Sequence, residues 1–186
     1  QFEAETQTSF RTGFSVSGTR LRLALARPGI NMQLQAQGDG LQQPAIVWLD
    51  PSAKRAESVI LHFADGSGTV LAALPNYIGT VVVEGGYVVS VRYVPSRNSQ
   101  HWEEYAQHDH LDQLHAVVAT AARFGVFRIE GERETRARRA AQLADSIRAL
   151  KSIDPTLTLY AAYAYAEAGF IAQVHSVLDI MRGELG

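Results

Sequence analysis

Apolar and polar residues alternate with a period of two up to about Tyr93, and from Ser99 onward the period becomes that of a helix. Phe10, Thr12, Phe14 and Val16 alternate with Arg11, Gly13, Ser15 and Ser17. Leu21, Leu23 and Leu25 alternate with Arg22, Ala24 and Ala26, and Met32, Leu34 and Ala36 with Gln33, Gln35 and Gln37. Period two places each apolar set on one face of a half-buried sheet. Apolar runs follow at Ala45 to Leu49, Ser58 to Phe63, Thr69 to Leu74, Thr80 to Val83 and Val88 to Tyr93. Breakers separate the runs: Gly18, Pro28-Gly29, Gly38-Asp39-Gly40 and Asp50-Pro51. Glu84-Gly85-Gly86 and Asp65-Gly66-Ser67-Gly68 read as hairpin turns, because glycine supplies the positive φ that tight turns need. Short strands at this spacing, with no helix of crossover length between them, predict an antiparallel sandwich or barrel.

In the second half, Ser99 is placed to cap a helix carrying Glu103 and Glu104 in its first turn. Trp102, Tyr105, Leu111, Leu114 and Val118 form its apolar stripe, and Gly125 ends it. A second helical pattern covers Glu132 to Ser152. Asp154-Pro155 opens a third helix, with Asp154 as N-cap and Pro155 at its first position, running to Gly169. A fourth runs from about Ile171 to Arg182. The predicted fold class is therefore α+β: an antiparallel β-sandwich-like part over residues 1–98, then a bundle of about four helices over 99–186, the two packed together. The chain starts at Gln1 and stops at Gly186 directly after a helical pattern, so the expectation is a segment of a longer protein.

Composition narrows the chemistry. The chain has 186 residues, 46% hydrophobic and 19% charged, enough to bury a core. A net charge of −2 is far from that of a nucleic-acid coat or a polybasic membrane binder. There is no cysteine, which removes thiol nucleophiles, thiolate metal sites and disulfides. A thiol-free chain fits either redox compartment; the cytoplasm is the expected one. No apolar run approaches the ~18 residues of a membrane-spanning helix.

The richest polar stretch runs from His101 to His115. At helical steps of three and four, His101, Glu104 and His108 share a face, as do His108, Asp112 and His115. Imidazole and carboxylate ligands so arranged can hold zinc, with further ligands from elsewhere. A solvated face opposite the Trp102/Leu111 stripe is the simpler reading, and neither metal nor cofactor is expected. Asp65-Gly66-Ser67-Gly68 lacks P-loop spacing, and no Gly-x-Ser-x-Gly surrounds Ser67. Arg133, Arg136, Arg138 and Arg139 are interleaved with Glu130, Glu132 and Glu134, as on a solvated helix. Tyr160 and Tyr163 are expected on the inter-helix side, with Tyr165 pointing elsewhere; together with Trp102 they are the candidate partner-binding residues.

Tyr160 to Phe170, followed by Val174, Val177 and Leu178, resembles a single tetratricopeptide-type helical hairpin. Phe63-Ala-Asp-Gly-Ser-Gly-Thr69, Leu74-Pro-Asn-Tyr-Ile-Gly-Thr80, Val91-Arg-Tyr-Val-Pro-Ser96 and Asp154-Pro-Thr-Leu157 with Tyr160-Ala-Ala-Tyr163 resemble the noncatalytic region of bacterial caspase-like multidomain proteins. The resemblance implies an accessory β-plus-helical region beside a protease domain, and with no cysteine no catalytic residue carries over. The expected function is a noncatalytic interaction or regulatory module. Its partner would be a protein or peptide, including another domain of the same polypeptide, or a second copy in a homodimer through an exposed sheet edge. The alternative is a metal- or histidine-dependent hydrolase using His101, His108, His110 and His115. A third reading is a sugar-binding sandwich with Trp48 or Trp102 as stacking platform.

Overall fold

A computed structural model describes residues 12–35, 41–49, 55–107, 111, 115, 135, 138 and 154–185. The strands are β1 (Thr12–Ser17), β2 (Leu21–Ala26), β3 (Met32–Gln35), β4 (Ala45–Leu49), β5 (Glu57–Phe63), β6 (Gly68–Ala73), β7 (Tyr77–Glu84) and β8 (Tyr87–Pro95). The helices among the described residues are α1 (Trp102–Ala106), α2 (Pro155–Glu167) and α3 (Ile171–Leu185). The chain is α+β and divides into two compact units, Gln1–Trp102 with Leu185–Gly186 and Glu103–Glu184. Of the second helical pattern, only Thr135 and Arg138 are described, both helical.

In the first unit a five-stranded sheet has the order β3-β4-β1-β7-β8, and a three-stranded sheet the order β2-β5-β6. The expected all-antiparallel arrangement is corrected: β1 runs antiparallel to β4 but parallel to β7. Parallel neighbours need a long connection between them. Here five intervening strands supply it, so no crossover helix is required.

As a central strand, β1 is buried from Thr12 to Val16, on both faces rather than one. Phe14 and Val16 join a buried cluster with Val47, Leu49, Val81 and Val83 of their own sheet. The same cluster takes in Leu21, Val59, Leu61 and Phe63 from the three-stranded sheet. Each such side chain contributes about 1.5–3 kcal/mol on burial. On the opposite face of the five-stranded sheet, Ile46, Trp48 and Ile78 form a small cluster of their own. A Cβ on Gly13 would lie 2.9 Å from the Trp48 ring and 2.1 Å from the Val47 carbonyl oxygen, so the backbone approach there needs glycine.

Strand β2 departs from its expected phase. The register shifts between Leu21 and Leu23, so Leu21 faces Phe63 in the core while Leu25 pairs with Ile60 on the outer side. A bulge inserts one residue and moves everything after it to the other face. Ala24 and Ala26 therefore pack against the core, and Leu23 and Leu25 are each 46% exposed.

The turns follow from local chemistry. Gly85 and Gly86 have φ of 57° and 83°, the two positive values that a tight two-residue hairpin requires, and Glu84 pairs with Tyr87 across them. In the β5–β6 turn, Asp65 Oδ1 accepts from the Ser67 amide at 2.9 Å and the Ser67 hydroxyl at 2.6 Å. These bonds hold the Asp65 carboxyl below the usual range.

In the second unit, Leu157, Ala161, Ala164 and Tyr165 of α2 bury against Val177 of α3 and Leu111. The Phe170 amide donates to the Tyr165 carbonyl at 2.9 Å across Gly169, whose φ is 79°. This closes α2 as a glycine-terminated helix, and Phe170 folds onto the cluster.

Two expectations follow from the row that pairs Phe14 with Gly79 and Gly79 with Tyr93. A Cβ on Gly79 would stand 2.6 Å from the Phe14 ring and 3.3 Å from that of Tyr93. Gly79→Ala should lower stability by about 1–3 kcal/mol in urea unfolding of the whole chain. The Tyr93 hydroxyl donates to the Ala72 carbonyl of β6 at 2.6 Å, tying the two sheets, and burial pushes its phenol from 10.0 up to about 12. The fold thus favours the neutral phenol: its contribution is complete below about pH 10 and is lost as pH rises through the folded value. Absorbance titration should show a late tyrosinate near pH 12 that Tyr93→Phe removes, with a stability cost of about 1 kcal/mol at neutral pH.

Candidate functional site

The histidine-rich strip does not lie along one described helix. His101 precedes α1: its amide donates to Ser99 Oγ at 3.3 Å, and its ring is buried, 6.5 Å from the Tyr77 ring. Ser99 thus caps the turn before the helix. Around it lies a polar cluster at the exit of β8. The Asn76 amide donates to Thr12 Oγ1 at 2.9 Å, and the Ser96 amide to the Asn76 carbonyl at 2.7 Å, with Asn76 at a φ of 61°. The Ser96 hydroxyl is fully buried and meets no hydrogen-bond partner among the described residues, a position that closes it to substrate. Glu104 is exposed. His108, His110 and Asp112 lie outside the described residues, and among the described residues no three His, Asp or Glu side chains converge on a cation position.

His115 takes a role that the strip does not suggest. Its Nε2 bonds Asp154 Oδ2, and the Asp154 side chain is wholly buried. The other oxygen, Oδ1, accepts from the amides of Thr156 at 2.9 Å and Leu157 at 3.1 Å, capping α2. Thr158 Oγ1 donates to the Asp154 carbonyl at 2.9 Å. Both carboxylate oxygens are therefore committed, one to a helix end and one to an imidazole 39 residues earlier. Nothing local in the sequence announces the pairing, though the N-cap itself was legible.

The expected sharing of a helix side by Tyr160 and Tyr163 is corrected. Leu157, Ala161, Ala164 and Tyr165 fall at helical steps on the buried stripe, which puts Tyr165 inside and leaves Tyr163 60% exposed. Tyr160 flanks the cluster, and burial followed by the proximity of Tyr163 raises its phenol. Trp102 is half-buried, with the Arg97 guanidinium 5.9 Å from its ring centre. Trp48, only 8% exposed, packs under its own sheet and is no stacking platform for a sugar.

The feature that sequence reasoning missed is the outer face of the three-stranded sheet. Leu25 pairs with Ile60, and Ile60 with Val70, so one apolar row crosses all three strands. The three are 46%, 45% and 62% exposed, and Leu23 and Ala72 extend the patch. With strands about 4.8 Å apart the row spans about 10 Å. Within β5 the signal was present: Val59, Ile60 and Leu61 are consecutive and apolar, so one had to face outward. In β2 it was not, because the bulge that turns Leu25 outward leaves no mark on the alternation.

Comparison with family models, with curated proteins and with solved structures finds no match to this chain. Among the described residues no helix is long and apolar enough to cross a membrane.

The shared carboxylate makes a stability prediction. His115→Ala leaves a buried oxygen of Asp154 without its partner and should cost about 1–3 kcal/mol. Asp154→Ala removes the cap as well, adding about 0.5–2 kcal/mol. Asp154→Ser restores the cap alone, so it should fall between wild type and Asp154→Ala in urea unfolding. Once Asp154 is alanine, His115→Ala should cost little more, a non-additivity that a double-mutant cycle reads directly.

Proposed function

We propose that this chain is a noncatalytic interaction module that recognises a protein segment through the outer face of its three-stranded sheet. The observation that carries the reading is the Leu25–Ile60–Val70 row, apolar, continuous and open to solvent. A contiguous apolar row is a better guide to an interaction site than single exposed apolar residues are. The two sheets are read as a sandwich, supported by the buried cluster to which both contribute. The pattern over Glu132 to Ser152 adds a fourth helix to the helical part. The partner is a peptide or a neighbouring domain, and the caspase-like resemblance suggests a protease domain in the same polypeptide. Histidine-dependent hydrolysis has less support: His115 is committed to Asp154, and His101 is buried beside Tyr77.

The test is selection of binders from a displayed library of random 12-residue peptides on the whole chain. Binding is then compared with Leu25→Thr/Ile60→Thr/Val70→Thr, in which threonine keeps the strand preference and loses the apolar surface. The triple variant should melt close to wild type, since exposed positions change stability by about 0.5 kcal/mol or less each. It should weaken the selected peptides about tenfold or more. Peptides that bind both proteins equally would remove the face from consideration.

A further inference from the structure

The charges around the same patch are not symmetric. Arg20 and Arg22 are exposed beside the β2 bulge, and neither has an ion-pair partner among the described residues. His62 pairs with Leu23 in register on the same side of the sheet. The sheet and its turn carry two acids. Glu57 accepts from Arg27 Nη2 at 2.5 Å and is buried, and Asp65 Oδ1 takes both Ser67 bonds. Among the described residues Arg20 and Arg22 thus make no ion pair, while Glu57 is paired with Arg27 and the exposed Asp65 lies near His62.

From this, and resting on the reading of the face as an interaction surface, we infer that the occupant is an acidic, apolar-rich protein segment. Its apolar side chains would cover Leu25, Ile60 and Val70 while its carboxylates meet Arg20 and Arg22. Guanidinium groups suit this role, because the planar fork takes a carboxylate in two parallel hydrogen bonds. A second copy of the chain fits less well. Packed face to face, it would bring two further guanidiniums to a rim whose one exposed carboxylate among the described residues, Asp65, already lies near His62, so arginines would outnumber acids there and like-charge juxtaposition opposes docking. A nucleic acid would satisfy the arginines, but the patch offers it leucine, isoleucine and valine where stacking needs aromatic rings.

The peptides selected on the whole chain decide between these occupants. Those sensitive to the Leu25/Ile60/Val70 triple variant should carry Asp or Glu alternating with apolar residues. Arg20→Glu/Arg22→Glu should weaken them about tenfold or more, replacing their acids by Gln or Asn should do the same, and added salt should weaken the complexes of the unaltered peptides with the wild-type chain. Face-dependent peptides that are neutral or basic, or that ignore the charge reversal, would overturn the acidic partner while leaving the interaction face intact. Self-association in sedimentation that the triple variant abolishes would overturn it in favour of a second copy. Recovery of no face-dependent peptide from a chain that stays monomeric would sink this inference and the interaction reading together.

Discussion

The ring of Phe14 lies over Gly79 at the junction of β1 and β7, in the space that any side chain on Gly79 would claim. That contact sets how the first unit is organised. β1 can sit between β4 and β7 only if both its faces are covered, and Phe14 is the largest group it contributes to the shared cluster. Tyr93 flanks the same glycine from β8 and reaches the Ala72 carbonyl of the other sheet, so one row of ring, glycine and ring links both sheets. Gly13, on the neighbouring position of β1, performs the matching service for Trp48 on the opposite face.

In the second unit a single carboxylate plays the comparable part. Asp154 begins α2, as Ser/Thr/Asp/Asn residues before a Pro commonly do, and it also anchors a distant histidine. Burying a charged group is costly unless each of its lone pairs is used. Here Oδ1 serves two amides and Oδ2 serves an imidazole, so the site is satisfied by folding itself and has little left to offer a substrate.

What could be read from the sequence was whatever depends on neighbours in the chain. The glycine pair after Glu84, the Asp65 turn, the cap at Asp154 and the stop at Gly169 are all local, and each stands where its residues place it. The parallel pairing of β1 with β7 was not legible, since Thr12 and Asn76 meet across 64 residues. Nor was the bulge after Leu21: Leu-Arg-Leu-Ala-Leu-Ala fits an unbroken strand equally well, and only the register against Phe63 and His62 shows the slip. The outer patch is hidden in the sequence for the same reason: Leu23 and Leu25 reach it only through the slip. Of the α2 tyrosines, Tyr160 packs against the helix cluster as expected, whereas Tyr163 and Tyr165 exchange places because helical phase is set by Leu157 and Ala161 rather than by the aromatics.

The parallel β1–β7 pairing also orders events in time. During synthesis β1 emerges first, yet one of its two neighbours is made only after β2 to β6 have been completed. The β5–β6 and β7–β8 hairpins close over a few residues, while β1 must wait for a partner far along the chain. Contacts of such separation slow folding, and an apolar strand left waiting is open to wrong pairing. The Thr12–Ser17 segment is therefore the strand that waits longest for its second neighbour, and its pairing with β7 is the step that completes the five-stranded sheet.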